Sequence, residues 1–457
     1  MSDTIAAIAT APGEGGISVV RVSGDGAEAV LGRVFRPADP RARTPVTHVL
    51  TYGQAVDADG RKIDECMAVL MRAPRSYTRE DVAELQTHGG YTVSQRVLEA
   101  CLAAGARLAG PGEFTRRAFL NGRIDLSQAE AVMELIRSRG EQARQAALRQ
   151  LDGGPSAFVR EAADTLYGIQ AEIAANLDYP EEVPDEDVAR DLPPRMRALA
   201  DRLEKACDER GARILREGLR VALCGRPNAG KSSLLNALTG EDLAIVTPVP
   251  GTTRDTVHGE ISLDGCAVRL TDTAGLRATD DPVERIGVER AARALEEADT
   301  VLFLVDGSVP PTAEDAALAE RLRGRDALLV LTKADLPAAF GEAEAAALLH
   351  GAPVFRTSCE DPAGLDPLLA ALAKRAKKDR LTLTQPRHLE AVRRAAACLR
   401  RAADTMGADT TGVNAMGGAD LASVDLLAAQ QALAEVTGDA VEERLLDRVF
   451  ADFCVGK

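Results

Sequence analysis

The spacing of apolar and polar residues divides the chain into stretches of different character. Over the first 120 residues, short apolar runs alternate with breaks that contain Gly or Pro, which is typical of strands. The predicted strands are Thr4–Ala9, Ile17–Val22, Val46–Gln54, Cys66–Met71 and Val82–Gln86. Helical spacing occurs at Ala27–Val34 and Thr92–Ala104. This stretch is therefore predicted to form a small α+β domain.

The pattern changes to helical periodicity at Asp125. The segment Asp125–Gln128 has the sequence of a helix cap, and apolar residues follow at Val132, Leu135 and Ile136. Ala- and Leu-rich helices continue to about residue 216, interrupted by an acidic loop at Tyr179–Asp187. Helical spacing returns from His388 to the end of the chain. Both stretches are therefore predicted to be helical.

Between the two helical stretches, apolar runs predict an α/β module. Strands are expected at 219–224, 256–263, 266–271, 300–305, 327–332 and 353–357, with helices between them. The dipeptide Asp264-Gly265 predicts a tight hairpin between the second and third of these strands. The sheet is expected to be mostly parallel otherwise.

These patterns predict a multidomain chain of α/β and all-α parts. The expected boundaries are an N-terminal α+β domain at 1–120, helical segments at 121–217 and 379–457, and an α/β module at 218–378. Neither helical segment is long enough to bury a large core of its own, so we expect them to form one discontinuous helical domain.

A phosphate-binding loop pattern lies directly after the apolar run 221–224. Residues Gly225–Ser233 read GRPNAGKSS, and a helical segment follows. Such a loop directs backbone N–H groups at phosphates, while its lysine reaches the β- and γ-phosphates and its serine ligates Mg²⁺. The sequence therefore predicts a nucleoside triphosphate site that includes Lys231 and Ser232.

Four further motifs follow in the order found in GTPases, and together they favour guanine. They are Gly251–Asp255, Asp272–Gly275, Thr332–Asp335 and Thr357–Cys359. Asp272 is expected beside Mg²⁺ and Gly275 at the γ-phosphate. The carboxylate of Asp335 can accept two hydrogen bonds from guanine, a pairing that adenine does not offer.

The guanine-reading motif begins with Thr332, where Asn is usual in GTPases. An Asn carries both a donor and an acceptor, whereas Thr supplies one short hydroxyl. We therefore expect guanine specificity to persist through Asp335, with modest nucleotide affinity. The alternative is that Thr332 is a strand-end residue that does not strengthen nucleotide binding.

The catalytic glutamine of Ras-type GTPases is missing after Asp272–Gly275, where Leu276 stands instead. Asn228, together with backbone carbonyls of the switch I segment, can hold a monovalent cation at the place where an arginine finger puts its charge. Glu284 is the polar candidate for orienting the attacking water. The other interpretation of Glu284 is an acidic residue in a first helical turn.

Composition limits the other classes of function. The chain has 457 residues, which suggests about three domains, and a formal net charge of −15 with 3% aromatic residues. Binding of nucleic acid through the overall charge of the protein is therefore not expected. Its eight cysteines are scattered without metal-ligand spacing, so a zinc site is not expected either. No long apolar run or signal segment is seen, which favours a cytoplasmic protein without a membrane span.

Motifs along the whole chain resemble those of the MnmE (TrmE) family of bacterial and organellar tRNA-modification GTPases. Besides the GTPase motifs, the resemblance rests on Thr4–Thr10, Gly15-Gly16, Arg21–Gly24, Glu80–Gly90, Pro111–Thr115, Ala118–Arg123 and Phe453–Lys457. It implies an N-terminal domain like folate-binding domains and a Ras-like GTPase domain inserted into a helical domain.

The resemblance also implies a set of nucleotide and metal residues. The implied GTP-binding residues are Asn228, Ala229, Gly230, Lys231, Ser232, Ser233, Thr247, Pro248, Val249, Pro250, Gly251, Thr252, Thr253, Asp272, Thr273, Ala274, Gly275, Thr332, Lys333, Ala334, Asp335, Ser358, Cys359 and Glu360. Mg²⁺ is implied at Ser232 and Thr253, and K⁺ at Asn228, Thr247, Val249 and Thr252. Glu284 matches the family's catalytic position.

Folate binding is implied for the N-terminal domain. By resemblance, Arg21, Glu84, Arg123 and Lys457 line a site for 5-formyl-tetrahydrofolate or another one-carbon tetrahydrofolate. Arg123 stands where many relatives carry Lys. Cys454 is implied to act beside the modification site, and the sequence leaves open whether as a nucleophile or in positioning.

The family's activity implies the partners. Members dimerise through the N-terminal domain and, in a heterotetramer with the flavoprotein MnmG (GidA), add an aminomethyl or carboxymethylaminomethyl group to C5 of the wobble uridine of certain tRNAs. One rival is an RNA-binding ribosome-assembly GTPase, but no KH-type domain or second GTPase module is found. The other is a stand-alone folate-dependent aminomethyltransferase, which the complete GTPase motifs disfavour.

Four arginines on one predicted helix raise the question of tRNA contact. They are Arg393, Arg394, Arg400 and Arg401. They either touch tRNA phosphates or form a solvated helix face paired with neighbouring acids.

Overall fold

The structure is a computed structural model that describes residues 3–39, 46–179, 181–240, 258–272, 292–358, 361–377, 382–408, 415–440, 443–451 and 453–456. The chain packs into two compact units. The first comprises Met1–Met133, Gln150–Ala200 and Arg394–Lys457, and the second comprises Glu134–Arg149 and Asp201–Arg393. The sequence-based boundaries at residues 120, 217 and 378 stay predictions.

The first unit contains a seven-stranded sheet with two helices on one face. The sheet is formed by β1 (Ile5–Ile8), β2 (Ile17–Ser23), β3 (Phe35–Pro37), β4 (Thr51–Val56), β5 (Lys62–Met71), β6 (Val82–His88) and β7 (Arg107–Leu108), in the order β3-β4-β5-β6-β2-β1-β7. The helices α1 (Ala27–Val34) and α2 (Tyr91–Ala103) bury their apolar residues against it. All pairs are antiparallel except β1 with β7.

The alternation of side chains along β1 gives the sheet a second buried face. Ala6 joins the core beneath α1 and α2, whereas Ile5 and Ala7 pack with Ala109 and Phe114 on the opposite side. Phe114 belongs to helix α3 (Glu113–Leu120) and is fully buried. This second face carries the N-terminal candidate site described below.

Helices make up the rest of the first unit. They are α4 (Leu126–Arg137) as far as Met133, α6 (Gly154–Asp178), α7 (Asp185–Lys205) as far as Ala200, α13 (Pro386–Ala408) from Arg394, α14 (Ala415–Thr437) and α15 (Glu443–Ala451). The predicted cap at the start of α4 is confirmed. Gln128 N donates to Asp125 Oδ1 over 2.9 Å, and Asp125 N donates to Gln128 Oε1 over 3.0 Å.

The second unit is built on a six-stranded sheet in the order β13-β12-β11-β8-β10-β9. Its strands are β8 (Leu219–Cys224), β9 (His258–Leu263), β10 (Cys266–Asp272), β11 (Thr300–Asp306), β12 (Ala327–Thr332) and β13 (Val354–Arg356). Its helices include α5 (Glu141–Leu151) as far as Arg149, α8 (Glu209–Glu217), α9 (Lys231–Leu238), α10 (Ala313–Arg321), α11 (Glu342–Leu348) and α12 (Asp366–Ala376). Apolar cores cover both faces.

The parallel sheet and the hairpin confirm the sequence prediction for this unit. Strands β8, β10, β11, β12 and β13 run parallel, and only β9 is antiparallel to its neighbour β10. Asp264 (φ 50°) and Gly265 (φ 77°) are the two central residues of the hairpin turn, as a turn of this kind requires. The carboxyl ends of the parallel strands therefore meet at one edge.

Among the helices described, none combines the length and the apolar character needed to cross a membrane.

Candidate functional site

The phosphate loop follows β8 and leads into α9, as the sequence predicts. Asn228 adopts φ 63° within the loop, in the left-handed region where Asn is enriched. Lys231 lies at the start of α9, and its Nζ donates to the carbonyls of Gly225 (2.8 Å) and Arg226 (2.9 Å). Burial lowers the pKa of Lys231. The ammonium is thus held inside the loop, where a phosphate chain offers it stronger acceptors.

Two residues predicted near Mg²⁺, Ser232 and Asp272, meet at the end of β10, whereas Thr253 lies outside the described residues. Ser232 Oγ donates to Asp272 Oδ2 over 3.2 Å. The other carboxylate oxygen, Asp272 Oδ1, is buried and has no hydrogen-bond partner among the described atoms. A hydroxyl and a carboxylate are the oxygen ligands that Mg²⁺ prefers, and an unpaired buried oxygen gains from a cation. The described residues therefore fit Mg²⁺.

Thr332 contacts the phosphate loop directly. Its buried Oγ1 donates to the carbonyl of Ala229 over 2.9 Å and lies 3.3 Å from the carbonyl of Val305. The residue therefore contacts the phosphate loop, and its effect on nucleotide affinity stays a prediction. Like the usual Asn, Thr332 connects the segment predicted to read guanine with the phosphate loop, but it does so through a single hydroxyl.

The remaining guanine-side residues lie beside Thr332. Ser358 Oγ donates to Asp335 Oδ1 over 2.7 Å, which fixes the carboxylate expected to read the base. Lys333 Nζ donates to Asp306 Oδ2 over 2.6 Å. Burial alone raises the pKa of Asp306, but hydrogen bonds from Lys333 and Ser308 outweigh it and lower the pKa below its usual value.

An ion pair that the sequence analysis missed ties the phosphate loop to α10. Arg226 Nε lies 3.3 Å from Oδ1 of Asp315, a fully buried carboxylate. The other oxygen of Asp315 accepts from the N–H and hydroxyl of Thr312 in a capping box. The hydroxyl-and-acid spacing of a capping box was visible in the sequence, but nothing in it indicated Arg226 as the partner.

Several predicted residues lie outside the described part of the chain. They are Thr247, Pro248, Val249, Pro250, Gly251, Thr252, Thr253, Thr273, Ala274, Gly275, Glu284, Cys359, Glu360 and Lys457. Their proposed roles stay predictions.

The first unit brings together three of the four predicted folate residues. Arg21 on β2 and Glu84 on β6 are cross-strand partners, and Arg21 Nε donates to Glu84 Oε1 over 2.7 Å. Both side chains are largely buried, with 16% and 17% exposure. The Arg21 guanidinium also lies 5.7 Å from the centroid of the Phe114 ring. A charged pair is therefore fixed against an aromatic wall.

Tyr77 joins Arg21 to Arg123 and was missed by the sequence analysis. The guanidinium carbons lie 5.5 Å (Arg21) and 4.7 Å (Arg123) from its ring centroid, within cation–π distance. The Tyr77 hydroxyl shares a hydrogen bond of 2.9 Å with Thr115, and Arg123 Nη1 donates to the Tyr77 carbonyl over 3.1 Å. In the sequence, Tyr77 is recognisable as an aromatic residue three positions before Glu80–Gly90, one of the segments on which the family resemblance rests.

The C-terminal tail reaches the same place. Val455 pairs with Pro111 in an antiparallel bridge, and Gly112 N donates to the carbonyl of Cys454 over 3.4 Å. The carbonyl of Gly456 lies 3.5 Å from Arg21 Nη1, a long hydrogen bond. Cys454 itself is exposed. The tail is thus held by its backbone, with the thiol accessible.

Among the arginines considered for tRNA contact, Arg393, Arg394 and Arg401 form ion pairs with acidic residues. Arg393 pairs with Glu209, Arg394 with Glu435 and Arg401 with Asp425. This is the arrangement expected for a solvated face paired with neighbouring acids.

Comparisons with known proteins cover the chain from end to end. The model of the GTP-binding protein TrmE N-terminus matches residues 4–123, and that of the MnmE helical domain matches residues 126–454. The relatives include proteins named tRNA modification GTPase MnmE from Heliobacterium modesticaldum (45% identity, 100% of both chains), Symbiobacterium thermophilum (46%, 100% of this chain and 99% of the relative) and Syntrophotalea carbinolica (44%, 100% and 99%). The chain therefore belongs to the MnmE (TrmE) family of tRNA modification GTPases.

Proposed function

We propose that this chain is a K⁺- and Mg²⁺-dependent GTPase that works with the flavoprotein MnmG (GidA) in the cytoplasm. The pair adds an aminomethyl or carboxymethylaminomethyl group to C5 of the wobble uridine of certain tRNAs, and a one-carbon tetrahydrofolate such as 5-formyl-tetrahydrofolate supplies the carbon. One observation carries the proposal. The Tyr77 ring contacts Arg21 and Arg123, and Arg21 also contacts Glu84 and the C-terminal tail, although Arg21 and Gly456 are 435 residues apart in sequence.

On the nucleotide side, each described residue has a role that follows from its position. Lys231 exchanges its two loop carbonyls for the β- and γ-phosphates. Ser232 and Asp272 hold Mg²⁺, which neutralises charge on the phosphates. Asp335, fixed by Ser358, accepts hydrogen bonds from guanine. Glu284, outside the described residues, orients the attacking water.

On the folate side, charge and shape suit the two ends of the ligand. Glu84 uses one oxygen for Arg21, and a carboxylate retains further acceptor sites that can read the amide-like edge of a pterin. The guanidinium groups of Arg21 and Arg123 attract the glutamate tail, as does Lys457. The Tyr77 ring contacts the guanidinium groups of both Arg21 and Arg123, which keeps the two positive charges close enough to act on the same ligand. The described residues therefore fit a tetrahydrofolate.

The partners follow from the same proposal. Residues 1–120 form the homodimer contact, the dimer assembles with MnmG into a heterotetramer, and tRNA is the substrate. Cys454, accessible on a tail that is docked by its backbone, acts beside the modified base.

Titration of the full-length protein with 5-formyl-tetrahydrofolate tests the folate assignment. Arg21→Ala is expected to abolish measurable binding, because it removes the cation that Glu84 and Tyr77 hold in place. Tyr77→Leu is expected to weaken binding about tenfold, whereas Tyr77→Phe keeps the ring and stays within about threefold of the wild type.

The matched control is Arg79→Gln, in the same loop as Tyr77, where the guanidinium bonds to the Asn121 carbonyl. This variant should bind folate normally, and all four variants should hydrolyse GTP at the wild-type rate. Retained folate affinity in Arg21→Ala contradicts the assignment.

A further inference from the structure

The turn of the β9–β10 hairpin is held by the segment that opens helix α5. Gln142 N, in the first turn of α5, donates to the carbonyl of Gly265 over 3.0 Å. The side chain of Gln142 donates to the Asp264 carbonyl over 3.4 Å. The first N–H groups of a helix have no partner within the helix, and the Gly265 carbonyl accepts a hydrogen bond from one of them.

The backbones approach so closely that both positions are restricted to glycine. A Cβ added at Gly140 would lie 2.7 Å from the Gly265 carbonyl oxygen. A Cβ at Gly265 would lie 3.0 Å from the Glu141 Cβ, and φ of Gly265 is 77°. A side chain at either position must therefore push α5 and the turn apart.

An ion pair adds to this contact from one side. Arg139 Nη1 donates to Glu260 Oε2 over 2.8 Å, and Glu260 is 18% exposed. Its other oxygen is buried without a hydrogen-bond partner among the described atoms, and Arg269 lies opposite it in the register of β9 and β10. Loss of Arg139 therefore removes the direct ion pair of a largely buried carboxylate and leaves it with Arg269 across the hairpin. We call residues 139–142 together with Glu260, Asp264 and Gly265 the clasp.

The strand that ends at the magnesium carboxylate begins at the clasp. β10 runs from Cys266, next to Gly265, to Asp272, whose carboxylate accepts from Ser232 in the phosphate loop. Strand β10 is hydrogen-bonded on both sides, to β8 and to β9, so displacement of one end is transmitted along it. A ligand at Asp272 thus acts on a stiff element that contacts α5 at its other end.

We propose that the clasp couples the nucleotide state of the GTPase unit to helix α5. When Mg²⁺ and GTP engage Asp272, β10 is fixed, the Gly265 carbonyl caps α5 more firmly, and the first turn of α5 opens less often. α5 runs from Glu141 to Leu151, and its last residues belong to the first unit, where Gln150 donates to the Ser127 carbonyl.

Hydrogen–deuterium exchange of the full chain tests the coupling at residues 138–149. In the wild type, amide exchange in the first turn of α5 should be at least about threefold slower with Mg²⁺ and a non-hydrolysable GTP analogue than without nucleotide. Gly140→Val should raise this exchange about tenfold in both states and remove the difference between them. Arg139→Gln, a milder change, should reduce the difference with the fold intact. Because the coupling is reciprocal, GTP affinity in both variants should change by no more than the factor seen in the exchange difference, about threefold.

Arg149→Gln is the matched control, because Arg149 lies in the last turn of the same helix, away from the clasp. It should keep the wild-type nucleotide difference. Equal exchange of the first turn with and without the GTP analogue in the wild type would overturn the proposal. A full nucleotide difference in both Arg139→Gln and Gly140→Val would overturn it as well.

Discussion

GTP hydrolysis by this chain is expected to be fast in KCl and near background in NaCl at equal ionic strength. Asn228 is an exposed residue of the phosphate loop, and its amide oxygen suits a hard monovalent ion. Next to it, the Ala229 carbonyl is held by Thr332, which fixes this part of the loop. The prediction is that backbone carbonyls from 247–252, which lie outside the described residues, would complete a ring of oxygens that fits K⁺ better than the smaller Na⁺.

The expected size of the effect is large. A cation at this place offsets charge on the bridging oxygen as the transition state forms, a role worth about 10³-fold or more when arginine performs it. Asn228→Ala should bring the rate in KCl close to that in NaCl. Asn236→Ala, which removes an exposed amide one to two turns further along α9, should keep the full difference. Equal wild-type rates in the two salts would discard the cation mechanism.

Replacing Gly456 by alanine is expected to abolish tRNA modification and to leave GTP hydrolysis at the wild-type rate. Gly456 adopts φ 97°, and an added Cβ would lie 2.3 Å from the carbonyl oxygen of Ile8. Neither the backbone conformation nor the space admits a side chain. The tail should therefore leave its place beside Arg21 and Pro111, and Cys454 with it.

The phenotype of Gly456→Ala should equal that of a chain lacking Cys454–Lys457. Val455→Ala is the control, because Val455 pairs with Pro111 through its backbone and its side chain is 49% exposed. It should modify tRNA normally. Wild-type modification by Gly456→Ala contradicts the role given to the docked tail, and a loss of GTPase activity contradicts the separation of the two sites.

Local signals in the sequence were enough for several elements of both units, among them the strands that carry the nucleotide site. The hairpin turn at Asp264-Gly265, the cap at Asp125 and Gln128, and the parallel strands of the second unit all form where the pattern predicts them. Each depends on residues close in sequence, so periodicity and turn chemistry suffice. The convergence of Arg21, Glu84 and Arg123 was anticipated only through the family resemblance.

The features that the sequence did not predict are short strands, strand ends and contacts between residues far apart in the chain. β3 and β7, of three and two residues, are too short to show a period, and β4 begins at Thr51 rather than Val46. The Arg226–Asp315 pair and the ring of Tyr77 between two arginines join segments far apart in sequence. The fold determines which charged residues pair with each other, and local sequence patterns do not reveal these pairings.

The most direct test of the central claim is mass spectrometry of wobble nucleosides from cells that lack this protein. We expect the aminomethyl-type groups at C5 of the wobble uridine to disappear from the affected tRNAs. They should return when the wild-type chain is supplied and stay absent with Arg21→Ala. Wobble uridines that remain fully modified without the protein would contradict the account.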